Sequence, residues 1–353
     1  MTAPYPVFDG HNDVLLRLYR KTGDVARQFV DGDGEGHLDL PRMREGRFGG
    51  GMFAIFVPSD FDLADMDELM QGEQYDVPLP PLIEAPAAQP VVLAMAAILF
   101  QIERASAGAF RVCRTARDIR QCIADGVVAA VFHIEGAEAV DADLDALEVL
   151  YQAGLRSLGP VWSRPTIFGH GVPFTYPSTP DTGDGLTDAG KALVKACNEL
   201  GIAIDLSHIN EKGFWDVAKL SDAPLIATHS NAHAICPHAR NLTDKQLDAI
   251  AETGGMVGLN YATCFLRPDG QRGTDVPFEL MARHLDHLIG RLGVDHVGLG
   301  SDFDGANIPD VIGDVTGLPA LQDALRQHGY DEATLKKLCN ENWIGVLERT
   351  WGE

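Results

Sequence analysis

Residues 127–136 run Val-Val-Ala-Ala-Val-Phe-His-Ile-Glu-Gly, with no polar side chain before His133. A strand that is apolar on both faces has to be covered on both faces. That is the situation of a parallel sheet wrapped in helices. Seven more short strand candidates occur, at 7–13, 49–57, 154–162, 202–208, 224–230, 255–261 and 296–304. Stretches with helical periodicity separate most of them, for example 144–153, 186–200, 211–220, 243–252 and 279–292. Thr243 is the expected N-cap of one of these. Parallel strands need such crossovers. The count and order predict an α/β fold, a (β/α)8 TIM barrel formed by residues 1–353 as one domain. An open doubly wound sheet fits less well, because no Gly-rich phosphate loop follows the first strand.

Two stretches interrupt the pattern. Residues 60–90 are acidic and proline-rich, which predicts a surface insertion acting as a lid or a subunit contact. Residues 163–185 form a long Gly/Pro/Thr loop. The formal charge of −23 disfavours nucleic acids and anionic membranes as partners. The sequence shows no basic-then-apolar leader and no apolar run near ~18 residues, so no membrane span is expected. The six cysteines are scattered without a CxxC, as reduced buried thiols are. Together these features predict a cytoplasmic protein.

The strand ends carry the chemistry. Residues two apart on a strand share a face, so His11 and Asp13 project together from the first one. Glu135 closes the third strand, His208 the fifth, His229 the sixth and Asp302 the eighth. In a barrel these ends converge at one mouth. A single catalytic zinc takes three protein ligands. Five ligands plus Asp302 suit two ions that share a carboxylate. Glu135, with two oxygens, is the natural bridge. His11 and Asp13 would hold one ion, and His208 and His229 the other. Such a pair activates water and polarises a carbonyl. Asp302 can accept the proton and pass it to a leaving amine. The chemistry implied is hydrolysis. Manganese or cobalt would suit the same donors. His133 shares the strand face of Glu135. His233 and His238 flank Arg240 and read as loop structure.

Asp9-Gly10-His11-Asn12-Asp13, Ile134-Glu135-Gly136, Asp205-Leu206-Ser207-His208, Thr228-His229-Ser230, Arg240-Asn241-Leu242 and Gly300-Ser301-Asp302-Phe303-Asp304-Gly305 resemble, in order, the motifs of the renal (membrane) dipeptidase family, a branch of the amidohydrolase superfamily. The resemblance implies a binuclear zinc barrel that hydrolyses dipeptides, including those with a C-terminal D-residue, and a possible homodimer. It implies that Glu135 bridges the metals, that Asp302 shuttles the proton, and that Arg240 holds the substrate carboxylate with its guanidinium fork. One position departs from the family. Trp162 stands where the family has a His near the scissile carbonyl, and an indole cannot carry a proton at neutral pH. His170, eight residues on, is the alternative imidazole. The competing readings are hydrolysis of another amide, such as an N-acyl amino acid or a lactam, and a non-catalytic metal-binding protein of the same fold.

Overall fold

The apolar run becomes strand β5 (Val128–Glu135), and every one of its residues is buried. In this computed structural model, which describes residues 3–59, 66 and 68–352, ten other strands accompany it. They are β1 (Val7–Asn12), β2 (Phe48–Phe56), β3 (Tyr75–Val77), β4 (Phe110–Val112), β6 (Leu155–Gly159), β7 (Phe174–Tyr176), β8 (Ala203–Ile204), β9 (Ile226–Ala227), β10 (Met256–Asn260) and β11 (Val297–Gly300). With β5, seven of them are parallel neighbours in the order β8-β6-β5-β2-β1-β11-β10-β9. The ring closes where Asp205, just past β8, bridges Ile226 of β9. There the Leu206 amide donates to the Ile226 carbonyl at 2.8 Å. All eight expected strands are the barrel strands, and the (β/α)8 class holds. Strand β4 was not expected. It pairs with the start of β5 (Phe110 with Val128), whereas β6 pairs with its end, from Phe132 to Glu135. Three residues carry too little periodicity to be seen beforehand.

One expectation needs correction. Met66, Met70, Tyr75 and Val77 are buried and form a small core with Ala262, Cys264 and Phe265, so the 60–90 stretch is not purely surface. Residues 60–65 and 67 of that stretch lie outside the described residues. Strand β3 pairs antiparallel with β7 of the 163–185 loop, tying the two interruptions into one ribbon. The helix Ala85–Ala105 bears on the membrane expectation. It is long and apolar enough to cross a membrane by length and composition, with a mean hydropathy of 1.7. Gln89, Pro90 and Gln101 break it into shorter apolar runs. Val92, Met95, Leu99 and Ile102 of this helix are buried in the main core.

Trp343 fills the barrel interior. It is fully buried, and its indole N–H donates to the Leu299 carbonyl at 2.9 Å. A Cβ at Gly10, Gly258 or Gly298 would come within 2.6, 2.9 and 2.6 Å of its ring. The Thr228 carbonyl stands closer still to Gly10 and Gly258, at 2.3 and 2.0 Å, so the indole and its neighbours together leave no space for a side chain on three strands. Trp343→Ala is expected to cost about 3–5 kcal/mol, read as a lowered urea midpoint.

The helix Phe278–Leu292 carries His284, whose Nδ1 accepts from the Ala232 amide (3.2 Å) while Nε2 donates to the Leu266 carbonyl (2.9 Å). Both nitrogens are used by the neutral ring, and burial lowers its pKa to about 4. The unfolded chain takes up this proton near ~6.5. Stability from this group is therefore complete above that pH and is lost as pH falls towards 4. The stability advantage of the wild type over His284→Gln should shrink by about 2 kcal/mol between pH 7 and pH 5, measured by urea unfolding.

Candidate metal centre

Each strand end delivers its side chain to one point. Glu135 lies at its centre. Its Oε1 is 3.0 Å from His208 Nε2, 3.3 Å from His229 Nε2 and 3.7 Å from His11 Nε2. Asp13 Oδ2 is 3.3 Å from His11 Nε2, and Asp302 clusters with these two. All six are buried. His208 and Asp302 reach inward from backbone with φ of +70° and +60°, as does the adjacent Asp304 at +66°. Non-glycine residues in this region cost about 1–3 kcal/mol each, a strain that concentrates at functional sites.

The His229 tautomer follows from its second nitrogen. The Thr228 hydroxyl donates to Asp205 at 2.6 Å, so it accepts from His229 Nδ1–H at 2.8 Å. His208 Nδ1 pairs with Ser163 Oγ at 2.8 Å. The His229 Nε2 lone pair then faces His208 Nε2, 3.1 Å away, across from the Glu135 carboxylate. Both ring nitrogens of His11 lack a hydrogen-bond partner among the described residues. Converging lone pairs and a carboxylate, buried and otherwise unsatisfied, are what a divalent cation requires.

The electrostatics agree. Burial opposes a charge on His11, yet Glu135, Asp13 and Asp302 together outweigh it and lift its pKa to about 10. Burial pushes the Glu135 carboxyl well up. Burial, aided by Arg240 and His11, holds His208 and His229 well below the ordinary imidazole range, so both stay neutral. The site as a whole demands positive charge and offers neutral nitrogen donors.

Asp302, Glu135, Asp13 and His208 form the floor of an open cavity whose walls include Phe56, Trp162, Phe174 and Phe265. Trp162 thus reaches the site. Arg240 does not line the cavity. It is buried behind Phe265, 5.3 Å from that ring, with one N–H donated to the His229 carbonyl at 3.1 Å and its Nε unpartnered. His170 is not brought to the site either. It packs beside Gly183, and its carbonyl accepts from the Asn210 amide.

Several supporting residues were not singled out beforehand. Asn260 donates to Asp302 Oδ2 at 2.9 Å, and Asn231 and Asn260 exchange side-chain-to-backbone hydrogen bonds. Asp205 and Thr228 sit inside motifs already noted, but their sequence neighbours say nothing about which imidazole they orient.

An eight-stranded parallel barrel with a buried His/Asp/Glu cluster at its C-terminal mouth defines a metal-dependent hydrolase of the amidohydrolase type. Residues 1–351 match the membrane dipeptidase family, peptidase family M19, and the chain belongs to that family of metal-dependent dipeptidases. It is 63% identical to a metallopeptidase from Rhodobacter sphaeroides solved with a phosphinate mimic of the dipeptide L-Ala-D-Ala. The match covers 99% of this chain and 100% of that one, with a TM-score of 0.98. A second solved structure, the family M19 metallopeptidase dipeptidase AC, is 62% identical over 99% of this chain and 100% of its own, with a TM-score of 0.97. An uncharacterized protein in the pqqA 5' region of Klebsiella pneumoniae is 52% identical over 255 residues, covering 72% of this chain and 94% of that protein.

Proposed function

We propose that this dipeptidase works with two zinc ions and acts on small dipeptides that include L-Ala-D-Ala. The observation that carries the reading is the approach of three imidazole nitrogens, from three different strand ends, to a single Glu135 oxygen. His11 and Asp13 would hold one ion, His208 and His229 the other, with Glu135 shared between them. When bound, the pair supplies Lewis acidity and an activated water.

The chain's own residues do the rest. Asp302, kept on the cavity floor by Asn260, accepts the proton of the attacking water and returns it to the departing amine. Arg240, with an N–H to spare, attracts the substrate's C-terminal carboxylate towards the Phe265 side of the cavity. The aromatic walls exclude solvent from the reacting bond. The L-Ala-D-Ala mimic held by the 63%-identical metallopeptidase supports the substrate class. The six cysteines, all free and buried, support a reducing, cytoplasmic setting.

The test combines metal analysis with turnover. Purified protein is expected to bind two zinc equivalents per chain by mass spectrometry. It should release free amino acids from L-L and L-D dipeptides, lose that activity on chelation, and regain it with zinc. Turnover of N-acetylated dipeptides in preference to free ones would instead favour an N-acyl amidohydrolase.

A further inference from the structure

Trp162 stands in the cavity wall, and a buried ion pair supports it from behind. Directly behind it lies Arg164, a fully buried guanidinium. One N–H donates to Glu138 Oε1 at 2.8 Å, in an ion pair with neither partner exposed. Another nitrogen donates to the Val57 carbonyl at 2.9 Å and to Ser59 Oγ at 2.7 Å. The guanidinium lies 5.5 Å from the centre of the Trp162 ring and 5.6 Å from that of Phe56, whose rings meet edge-on at 4.8 Å. Arg164 thereby ties together the segments leaving β2, β5 and β6, at the point where two aromatic rings enter the cavity wall.

A buried ion pair is expensive to desolvate and contributes little net stability. Its value here is geometric, because removing either partner frees the aromatic wall. The location of that wall follows from the ring contacts. Arg240 lies behind Phe265, Phe265 stacks on Phe174 at 6.1 Å, and Phe174 meets Trp162 at 5.6 Å. A dipeptide whose carboxylate is drawn to the Arg240 end therefore turns its N-terminal side chain towards Trp162 and Phe56. The cavity holds about 130 Å³.

We propose that Trp162 sets the N-terminal specificity of this enzyme, admitting a small aliphatic side chain and rejecting a larger one, and that the Arg164–Glu138 pair is the positioning pair that holds the indole in place. This rests on the dipeptidase reading above and on the carboxylate lying at the Arg240 end.

The wild type, Trp162→Ala, Trp162→Phe and Glu138→Gln, each with its metal content measured, are compared on L-Ala-D-Ala, L-Leu-D-Ala and L-Phe-D-Ala. Calorimetry supplies Kd for the phosphinate mimics of the first two. A hydrophobic pocket discriminates by about tenfold or more per misfit methylene. The ratio of kcat/KM for Leu over Ala should therefore rise at least ~tenfold in Trp162→Ala, mainly through KM, with Kd for the Leu mimic following. Trp162→Phe, the conservative change, should fall between. Glu138→Gln should move the ratio the same way by a smaller factor at unchanged metal content. A ratio within about twofold of wild type in Trp162→Ala, with L-Ala-D-Ala still cleaved, overturns the role of Trp162 and leaves the dipeptidase reading standing. An unmoved ratio in Glu138→Gln overturns the positioning role of the pair. A wild type that cleaves no dipeptide overturns the dipeptidase reading, and this proposal with it.

Discussion

Glu135→Gln should abolish turnover, lowering kcat/KM by at least ~1000-fold, and should reduce bound zinc to one equivalent or fewer per chain. Glu135 Oε1 faces three imidazole nitrogens at 3.0, 3.3 and 3.7 Å. Glutamine keeps the size of the side chain but removes its charge and one anionic oxygen, so it can no longer serve two cations. Because the shape is preserved, the barrel should remain folded, with unchanged circular dichroism. Full metal retention together with activity within tenfold of wild type would show that Glu135 is not the shared ligand. The same substitution also relieves a stress of the metal-free site, where burial pushes the carboxyl well above its usual range. The apo variant should therefore be no less stable than apo wild type.

Asp302→Asn should produce the second-largest loss, with a different signature. An amide cannot accept a proton, and removing a positioned acid–base group typically costs about 100- to 10,000-fold. Asn260 donates to Asp302 Oδ2 at 2.9 Å, and it would still meet an amide oxygen at that place. The variant should keep both zinc equivalents and bind the phosphinate mimic close to normally. The pair of variants thus separates metal loss from loss of proton transfer. Activity within about threefold of wild type in Asp302→Asn would remove this residue from the mechanism and leave another group to carry the proton.

Much of this site is legible along the chain because a barrel converts strand order into position. Once eight apolar runs are recognised, whatever closes each run must arrive at one mouth. His11, Asp13, Glu135, His208, His229 and Asp302 are each identifiable from their own few neighbours. Arg240 stood out as a lone arginine in a recognisable motif, but its seat behind Phe265 did not. His170 illustrates the opposite failure. A histidine in the right loop is no guide to where the loop turns, and this one packs against Gly183, away from the cavity.

The acidic 60–90 stretch misled for a related reason. Its composition is polar on average, yet Met66, Met70, Tyr75 and Val77 find a core because Ala262, Cys264 and Phe265 come to meet them. Average polarity measures solvation of an isolated segment and carries no information about a distant partner.

What the sequence by itself determined is what local pattern can encode: the alternation of apolar strands with helices, and the donor atoms at the strand ends. Tertiary structure alone decided the rest. The Arg164–Glu138 pair spans 26 residues, Asn260 reaches Asp302 across 42, and Trp343 meets Leu299 across 44 while three glycines make room for it. Such contacts leave no periodicity behind. A buried charge, a single hydrogen bond or a missing Cβ is specified by the shape of the space it occupies, and that space exists only once the barrel has closed.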